Sequence, residues 1–296
     1  MMNQSTSIVT STEKQRILIF GCGYLGRVVA KQAIASGDHV TGTTRSEKNR
    51  ETLRKIGIEP IVADWTDRRT LSSIDTFSTI VVSVSNDPSQ RKPPWESLVN
   101  GLGNLLSAIN QTTRVIYIST TGVYHQKGGI WVDETSPAHP DRPSAKAHLQ
   151  AEGLLRRQRS NSPWSILRLA GIYGPQRVPR CDQIRLGNPI HADPSSYLNL
   201  IHVEDAASAA LAASKRDAQD VYLVSDDQPA LRADYYAYIA QQISAPPPKF
   251  ASKQEVGSHT IRSDSNKRVW NRRMKKELLP KLKYPTHREG LSKLLK

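Results

Sequence analysis

The stretch R-I-L-I-F-G-C-G-Y-L-G-R, from Arg16 to Arg27, decides the fold of this chain. The four apolar residues before its first glycine predict a short strand that is buried on both faces. The strand runs into the pattern G-x-G-x-x-G, with glycines at Gly21, Gly23 and Gly26. A helix is predicted to follow, from Tyr24 to about Ser36. This order of strand, glycine pattern and helix is typical of a dinucleotide site. The alternative is a glycine-rich turn with a structural role only.

Each glycine of the pattern has a physical role in such a site. Gly21 allows the tight turn from strand to helix, and Gly23 lets a pyrophosphate approach the backbone. Gly26 allows the helix to pack closely on the strand. The first helical turn, which includes Tyr24 and Leu25, directs its N–H groups and the positive end of its dipole toward the phosphates.

The composition predicts a soluble globular chain of one or two domains. The chain has 296 residues, of which 38% are hydrophobic, and its mean hydropathy is −0.50. No apolar run approaches the roughly 18 residues that a membrane span needs. Residues 1–14 are polar and predict a disordered tail, with a transit peptide as the alternative. Cys22 and Cys181 form neither a disulfide framework nor a metal-ligand pattern, so we expect the reducing cytoplasm and no metal.

The net charge of +14 makes nucleic acid one of the partners to consider. Basic residues crowd together near the end of the chain, and this run is predicted to form a solvated helical face. The other interpretations are attraction of an anionic substrate and non-specific contact with nucleic acid. No zinc spacing, RNA-binding signature or basic zipper supports nucleic acid, so it is not our prediction. The run comprises Arg262, Lys267, Arg268, Arg272, Arg273, Lys275, Lys276, Lys281 and Lys283.

Strands and helices alternate through the first half of the sequence. Such alternation predicts right-handed βαβ units and an α/β fold of the Rossmann type, with a doubly wound parallel sheet and helices on both faces. Further strands are predicted at 40–44, 58–62, 79–84, 115–119, 164–169 and 221–224, and further helices at 47–56, 66–71, 95–110, 144–159, 203–213 and 235–243.

The pattern loosens after Gly171, where prolines interrupt a loop-rich stretch. We therefore predict an NAD(P)-binding Rossmann domain over 15–170 and a smaller C-terminal lobe over 171–296 that binds substrate. Within this lobe, 200–224 is predicted to return to the Rossmann core.

The end of the second strand predicts NADP rather than NAD. Dinucleotide folds that prefer NAD place a carboxylate there, whereas an Arg accommodates the 2′-phosphate of NADP. The segment 41–46 has no carboxylate before Glu47, while Thr44 offers a hydroxyl and Arg45 a planar cation. The alternative for Arg45 is a solvated side chain at the start of a helix.

Three further residues are predicted to bind the cofactor. Asp64 and Trp65 follow the third strand, where Asp64 can accept from the adenine amine and Trp65 can stack on the base. Asp64 can instead cap a helix. Ser83, at the end of the fourth strand, is predicted to line the cofactor.

Beyond the glycine loop, four segments strengthen one resemblance over about residues 16–293. Together with that loop, the chain resembles the extended short-chain dehydrogenase/reductases, which include nucleotide-sugar epimerases and dehydratases, and within them the atypical branch with a GCGYLG loop. The segments are I-S-T-T-G-V-Y (118–124), I-L-R-L-A-G-I-Y-G-P (166–175), L-I-H-V-E-D-A-A (200–207) and Y-P-T-H-R-E-G-L (284–291).

The resemblance implies a catalytic role for Thr120, whose counterpart hydrogen-bonds the reacting oxygen of the substrate. It also implies a Tyr-x-x-x-Lys pair in the next helix, which exchanges a proton with the substrate. Here Ser144 stands at the Tyr position and His148 at the Lys position. His148 can act as a base near neutral pH. In the alternative interpretation Ser144 is a helix N-cap and His148 is a surface residue.

Other residues remain open as substitutes or as structural groups. Tyr124, His125 and Tyr173 can face the crevice, although a structural role is the alternative for each. Arg168 can pair with a carboxylate such as Glu152 or with a substrate phosphate.

Three functions follow from these expectations. The first is an NADP-dependent oxidoreductase, epimerase or dehydratase that acts on a sugar-like or nucleotide-linked substrate, which is anionic if the basic tail attracts it. The second is a catalytically inactive NADP-binding sensor or regulatory protein, which the missing Tyr and Lys favour. The third, ranked last, is nucleic-acid binding. The resemblance also implies a homodimer through the helices at 95–110 and 144–159, and no membrane partner is expected.

Overall fold

The computed structural model describes residues 14–72, 74–85, 92–251 and 266–295. Residues 1–13 of the predicted N-terminal tail lie outside the described residues. Arg262 of the basic run also lies outside them. The strands are β1 (Arg16–Phe20), β2 (His39–Thr44), β3 (Glu59–Val62), β4 (Thr79–Val82), β5 (Arg114–Thr120), β6 (Ile130–Val132), β7 (Trp164–Leu169), β8 (Gly171–Tyr173), β9 (Tyr197–Leu198), β10 (Leu200–His202), β11 (Gln219–Val224), β12 (Ala230–Leu231) and β13 (Lys267–Val269). The helices are α1 (Tyr24–Ala35), α2 (Glu47–Arg54), α3 (Gly101–Ser107), α4 (Pro143–Gln158), α5 (Cys181–Arg185), α6 (Val203–Ala213), α7 (Arg232–Gln242), α8 (Arg272–Glu277) and α9 (His287–Leu294).

Seven strands form one parallel sheet in the order β11-β7-β5-β4-β1-β2-β3. The order reverses at β1, since the chain leaves β1 for β2 on one side and later returns to β4 on the other. Ligands bind at such a switch point, outside the carboxyl ends of the strands. The predicted Rossmann-type fold is therefore confirmed. Among the described residues, no helix combines the length and apolar character needed to cross a membrane.

Each face of the sheet packs against its own pair of helices, because successive strand residues point to opposite faces. Val29 of α1 and Ala206 of α6 belong to the core on one face. Leu102 of α3 and Ala151 of α4 belong to the core on the other. All four side chains are fully buried. Burying a large apolar side chain such as a leucine contributes about 1.5–3 kcal/mol, so these two layers hold the carboxyl ends of the strands in place.

The remaining strands form three two-stranded ladders, which are β8 with β10, β9 with β12, and β6 with β13. A third core of buried residues from α5, α7, α9 and the chain around β8 to β10 lies among them. Strand β11 is one of the two edge strands of the main sheet and pairs with β7. The predicted division at residue 170 remains a prediction.

Several predicted elements differ from the structure in their bounds or type. The helix predicted over 95–110 begins as a π-helical turn, Glu96–Asn100, and continues as α3 only to Ser107. The basic run does not form one solvated helical face, because Lys267 lies on β13 and is only 6% exposed. Burial of this lysine depends on the pairing of β13 with β6, which is remote in sequence.

Candidate functional site

The glycine loop is fixed to the next strand by hydrogen bonds. The Gly21 N–H donates to Thr43 Oγ1 at 2.8 Å, and the Cys22 N–H donates to the Thr43 carbonyl oxygen at 3.1 Å. Gly21 has φ +90°, and a Cβ there would lie 2.9 Å from the backbone of Ser83. Both the backbone conformation and the lack of space require glycine at this position.

The other two glycines of the loop serve different purposes. A Cβ on Gly26 would lie 2.6 Å from the Gly21 carbonyl oxygen, so Gly26 allows α1 to pack on the turn. A Cβ on Gly23 would meet no atom of the described residues within 4 Å. Gly23 is the N-cap of α1 and offers no capping side chain. A phosphate can thus approach the backbone at the positive end of the helix dipole.

A cleft of about 460 Å³ extends from this loop along the carboxyl ends of β1, β2, β3 and β4. It brings together seven of the residues predicted to bind the cofactor, which are Gly21, Gly23, Thr44, Arg45, Asp64, Trp65 and Ser83. The other lining residues are Phe20, Cys22, Arg27, Thr43, Ser46, Asn49, Ala63, Thr66, Val84, Ser85 and Ser97.

Three predicted cofactor residues do not line this cleft. Leu25 is 5% exposed and packs in the core, and Gly26 faces the turn. The Tyr24 hydroxyl donates to the Pro175 carbonyl oxygen at 3.0 Å, and the guanidinium of Arg177 lies 5.3 Å from its ring centre. Tyr24 therefore joins the glycine loop to the segment after β8.

The end of β2 gives the cleft a cationic and hydroxylic lining. Arg45 and Thr44 line it together with Arg27, whose Nε donates to the Cys22 carbonyl oxygen at 3.3 Å. Glu47 forms an ion pair with Arg50 at 3.0 Å and is absent from the lining. Sequence reasoning missed Arg27, although its place directly after the third glycine is a usable signal.

Asp64 and Trp65 lie at the far end of the cleft. Asp64 Oδ1 accepts from the Thr66 N–H at 2.9 Å and from the Thr66 hydroxyl at 2.8 Å. The cap of the next helical turn is Asp67 rather than Asp64, because Asp67 accepts from the Arg69 N–H. The Trp65 indole stacks on Phe20 with ring centres 5.7 Å apart and is 3% exposed, so it offers the cleft only a small surface.

Thr120 lies at the carboxyl end of β5, and Ser144 lies at the start of α4. Thr120 is the last residue of β5, is half-buried, and its Oγ1 accepts from the Gly122 N–H at 3.0 Å. The helix α4 begins at Pro143 with Arg142 as N-cap. Ser144 therefore lies inside the first turn, and the alternative that it is the N-cap is wrong.

His148 is directed into the protein, which corrects the alternative that it is a surface residue. Its Nδ1 lies 2.9 Å from the hydroxyl of the buried Tyr117 on β5. Burial lowers the pKa of His148 to about 4, although Glu152 opposes this effect. The imidazole is therefore neutral at pH 7. The catalytic roles of Thr120, Ser144 and His148 remain predictions.

A buried ion pair between Glu152 and Arg168 joins α4 to strand β7 of the main sheet. Glu152 accepts from the Arg168 guanidinium at 2.6 Å and from the Ser119 hydroxyl at 2.6 Å. Arg168 also donates to the Tyr124 hydroxyl at 2.5 Å. Of the two interpretations of Arg168, pairing with Glu152 is the one observed.

The other residues that could replace the Tyr-x-x-x-Lys pair make contacts with other parts of the protein. Tyr124 and Tyr173 are both fully buried, and burial raises the pKa of Tyr124 to about 12. The Tyr173 hydroxyl donates to the Thr286 carbonyl oxygen at 3.4 Å. His125 Nε2 lies 2.6 Å from Asp141 Oδ2. Neither tyrosine takes the position of a proton donor beside Thr120.

Comparisons with known proteins agree with this geometry. A family model described as the NAD dependent epimerase/dehydratase family matches residues 17–225. Protein YeeZ of Escherichia coli (strain K12) is 27% identical over 259 residues, which cover 83% of this chain and 90% of that protein. A Streptomyces protein named 3-diazoavenalumate denitrifying reductase is 25% identical over 257 residues, covering 79% of this chain and 83% of that one. The solved structure of a functionally unknown conserved protein from Silicibacter pomeroyi DSS is 32% identical, has a TM-score of 0.78, and covers 95% of this chain and 98% of that one.

Proposed function

The chain belongs to the NAD dependent epimerase/dehydratase family, and we propose that it is an NADP-dependent oxidoreductase of the extended short-chain type. One observation carries the proposal. A single cleft joins the open backbone at Gly23 to Arg27 and Arg45, and it has Thr44 where an NAD-selective site would have a carboxylate. A diphosphate fits the first part of this cleft, and a 2′-phosphate fits the second.

Each part of the cofactor would contact a different set of residues in the cleft. Gly23 and the first turn of α1 would hold the diphosphate, and Arg27 with Arg45 would hold the 2′-phosphate. Asp64 and the edge of Trp65 would meet the adenine. When bound, the nicotinamide supplies or accepts a hydride. The chain itself would orient the substrate oxygen through the hydroxyl of Thr120, and Ser144 on α4 is the second hydroxyl assigned to this step.

The proposed substrate is a sugar-like or nucleotide-linked compound that carries a carbonyl or hydroxyl group. The family description names epimerases and dehydratases and the Streptomyces relative is named as a reductase, which supports the carbonyl or hydroxyl group of the proposed substrate. His148 is neutral at pH 7 because its pKa is about 4, so it can serve as a hydrogen-bonding group rather than as a permanent cation.

Cofactor titration tests the proposal first. Calorimetry with NADPH and with NADH is expected to give tighter binding of NADPH; equal affinities or a preference for NADH would contradict it. Consumption of NADPH is then followed with a panel of carbonyl compounds and nucleotide sugars. Thr120→Val is expected to lower turnover while the affinity for NADPH stays unchanged.

A second candidate is a protein that binds NADP without catalysis and acts as a sensor or regulatory partner. Two observations favour it, since Ser144 lacks an acidic phenol and His148 is held by Tyr117. NADPH binding without any substrate-dependent oxidation across the panel and across pH would support this candidate over the enzyme.

The proposal also includes a cytoplasmic location and a homodimer. Both cysteines are buried free thiols, which agrees with a reducing compartment. The dimer would form through α3 and α4, and sedimentation of the purified protein tests it. A monomer at micromolar concentration would contradict the dimer and leave the cofactor proposal intact.

A further inference from the structure

Three aromatic rings and two guanidinium groups from β6, β9, β13 and the start of α8 contact one another in series. The indoles of Trp131 and Trp270 stack with ring centres 3.9 Å apart and an interplanar angle of 19°. The guanidinium of Arg268 lies 4.8 Å from the ring centre of Trp131 and 5.1 Å from that of Tyr197. The guanidinium of Arg272 lies 3.7 Å from the ring centre of Trp270. We call these five residues the aromatic–arginine stack.

The ladder between β6 and β13 brings the central part of the stack together. Trp131 is the register partner of Arg268, and the N–H of Trp270 continues the ladder by donating to the last carbonyl oxygen of β6 at 2.9 Å. Successive strand residues point to opposite faces, so Trp131, Arg268 and Trp270 share one face. Lys267 points to the other face, where its Nζ donates to the Tyr124 carbonyl oxygen at 2.9 Å.

Backbone groups hold the Tyr197 end of the stack in place. The Tyr197 N–H donates to Asn266 Oδ1 at 3.0 Å, and Arg268 Nε donates to the Gly129 carbonyl oxygen at 2.6 Å. A Cβ on Gly129 would lie 3.0 Å from Cε2 of Tyr197, so glycine leaves the room that the ring needs. The guanidinium of Arg268 is thus fixed beside the rings, and its two Nη groups have no acceptor among the described residues.

The two arginines of the stack differ from their neighbours in the basic run. Arg273 forms an ion pair with Asp220, and Lys275 forms one with Asp227 at 2.7 Å. Among the residues that the structure describes, no carboxylate pairs with either arginine of the stack. Two positive charges therefore lie within one rigid surface feature and can be neutralised by a ligand.

The stack offers a ligand two kinds of contact. Guanidinium N–H groups bind phosphate and carboxylate groups through charge-assisted hydrogen bonds. A guanidinium plane also stacks on a nucleic-acid base. Arg272 is exposed, and within the described part of the chain no ring besides Trp270 contacts it. Its other face is therefore open to a planar group.

We propose that the aromatic–arginine stack binds single-stranded nucleic acid, a function separate from the cofactor chemistry proposed above. Phosphates would contact the N–H edges of Arg268 and Arg272, and an unpaired base would stack on the open face of Arg272. A nucleotide carries an anion and a planar ring together, whereas an acidic peptide would satisfy the cations only. The net charge of +14 attracts such a polyanion over a longer range. No sequence motif indicates this surface, because its residues come from three distant segments.

Fluorescence anisotropy with a labelled oligothymidylate of about 15 nucleotides tests the proposal, and a labelled oligoglutamate of the same length tests the acidic peptide. Arg268→Met and Arg272→Met remove the charges and keep much of each stem. Trp270→Leu removes the ring beneath Arg272 and leaves every charge in place. The matched control is Lys276→Met, since Lys276 is an exposed cation of the same basic run that lies on α8 outside the stack.

The wild-type protein is expected to bind oligothymidylate more tightly than oligoglutamate. At about 50 mM salt, each arginine substitution should weaken binding of oligothymidylate by about tenfold or more, as for loss of a charge-assisted contact. Trp270→Leu should also weaken it, because Arg272 loses the ring that holds its plane. Lys276→Met should change the affinity by no more than about twofold.

The salt dependence gives a second readout. Contact with each phosphate of a single strand adds about 0.7 to the slope of log affinity against log salt. The double variant Arg268→Met with Arg272→Met should therefore have a slope shallower by about 1.4 than the wild type. Affinity for NADPH should stay the same in all of these variants, which separates this surface from the cofactor cleft.

Three results would overturn the inference. One is a wild-type protein that does not bind oligothymidylate at low salt. Another is equal weakening by Lys276→Met and by Arg272→Met, which would show attraction by the overall charge alone. The third is oligoglutamate binding as tight as that of oligothymidylate, which would assign the surface to an acidic peptide. Thermal transitions show that each variant is folded, and Arg272→Met, an exposed substitution, decides the question if the others unfold.

Discussion

His148 Nδ1 and the hydroxyl of Tyr117 lie 2.9 Å apart, and this contact joins the middle of α4 to the middle of β5. Tyr117 is fully buried, and burial raises the pKa of its phenol. The pair therefore consists of a neutral phenol and a neutral imidazole. It satisfies the hydrogen-bonding capacity of two polar groups inside the protein, and it fixes the orientation of the His148 ring.

The half-buried imidazole of His148 makes stability depend on pH. The pKa of His148 is about 4 in the folded protein and 6.5 when unperturbed, so the unfolded chain binds more protons between these values. The contribution to stability is present above pH 6.5 and is lost as the pH falls toward 4. In that range we expect the free energy of unfolding to fall by up to about 1.4 kcal/mol per pH unit from this group.

Urea unfolding of the wild type and of His148→Gln, followed from pH 8 to pH 4.5, measures this effect. Glutamine can still pair with Tyr117, so the variant keeps the contact and loses the titration. The wild type is expected to lose stability relative to the variant as the pH falls, so that two proteins of similar stability at pH 8 differ increasingly in favour of the variant toward pH 4.5. Two other buried histidines, His202 and His287, also have a pKa of about 4, and their effects cancel in this comparison. Parallel curves would contradict the prediction.

Two glycines of the loop are expected to respond differently to alanine. Gly23→Ala places its methyl group in open space, so the thermal midpoint should change little while the affinity for NADPH falls about tenfold or more, or about 1.4 kcal/mol. Gly26→Ala places a methyl group 2.6 Å from the Gly21 carbonyl oxygen, so it should destabilise the fold by about 1–3 kcal/mol. Calorimetry and thermal unfolding separate the two effects. Unchanged NADPH affinity in Gly23→Ala would argue against the diphosphate at this backbone.

The sequence predicts the parts of this protein that depend on local signals. The apolar run before Gly21 and the spacing of the next two glycines predict the turn, because strand, turn and helix there are adjacent in sequence. The helix Val203–Ala213 is predicted to its exact bounds, since acidic residues mark its start and alanines fill it. These signals need no information from elsewhere in the chain.

The remaining features depend on contacts between distant segments. The strands β6 and β13 have three residues each and pair Lys267 with Ile130, and nothing near Lys267 in the sequence shows that it is buried. The direction of His148 depends on how α4 is rotated against β5. The hydrophobic periodicity of a helix predicts which face a residue occupies. It does not show whether a buried polar partner such as Tyr117 lies opposite that residue on another element.

The Glu152–Arg168 pair is expected to stabilise the fold only when both charged side chains are present. Both side chains are at most 5% exposed, so removing one charge leaves the other buried and unpaired. Glu152→Gln is expected to lower the free energy of unfolding by about 3–5 kcal/mol. The double variant Glu152→Met with Arg168→Met should lose less than the sum of the single variants. Urea unfolding of all four proteins in a cycle measures the coupling, and additive losses would show that the pair has no such role.

Arg27 and Arg45 are expected to distinguish NADPH from NADH. Both line the end of the cleft near β2, and a guanidinium binds a phosphate through charge-assisted hydrogen bonds of about 1.5–3 kcal/mol. Arg27→Met and Arg45→Met should each weaken NADPH binding by about tenfold or more and change NADH binding little. Arg54→Met, an exposed residue on the adjacent α2, is the control and should alter neither. Equal weakening of both cofactors in Arg45→Met would mean that this cation acts on a group the two share, such as the diphosphate, and the preference for NADP would then need another origin.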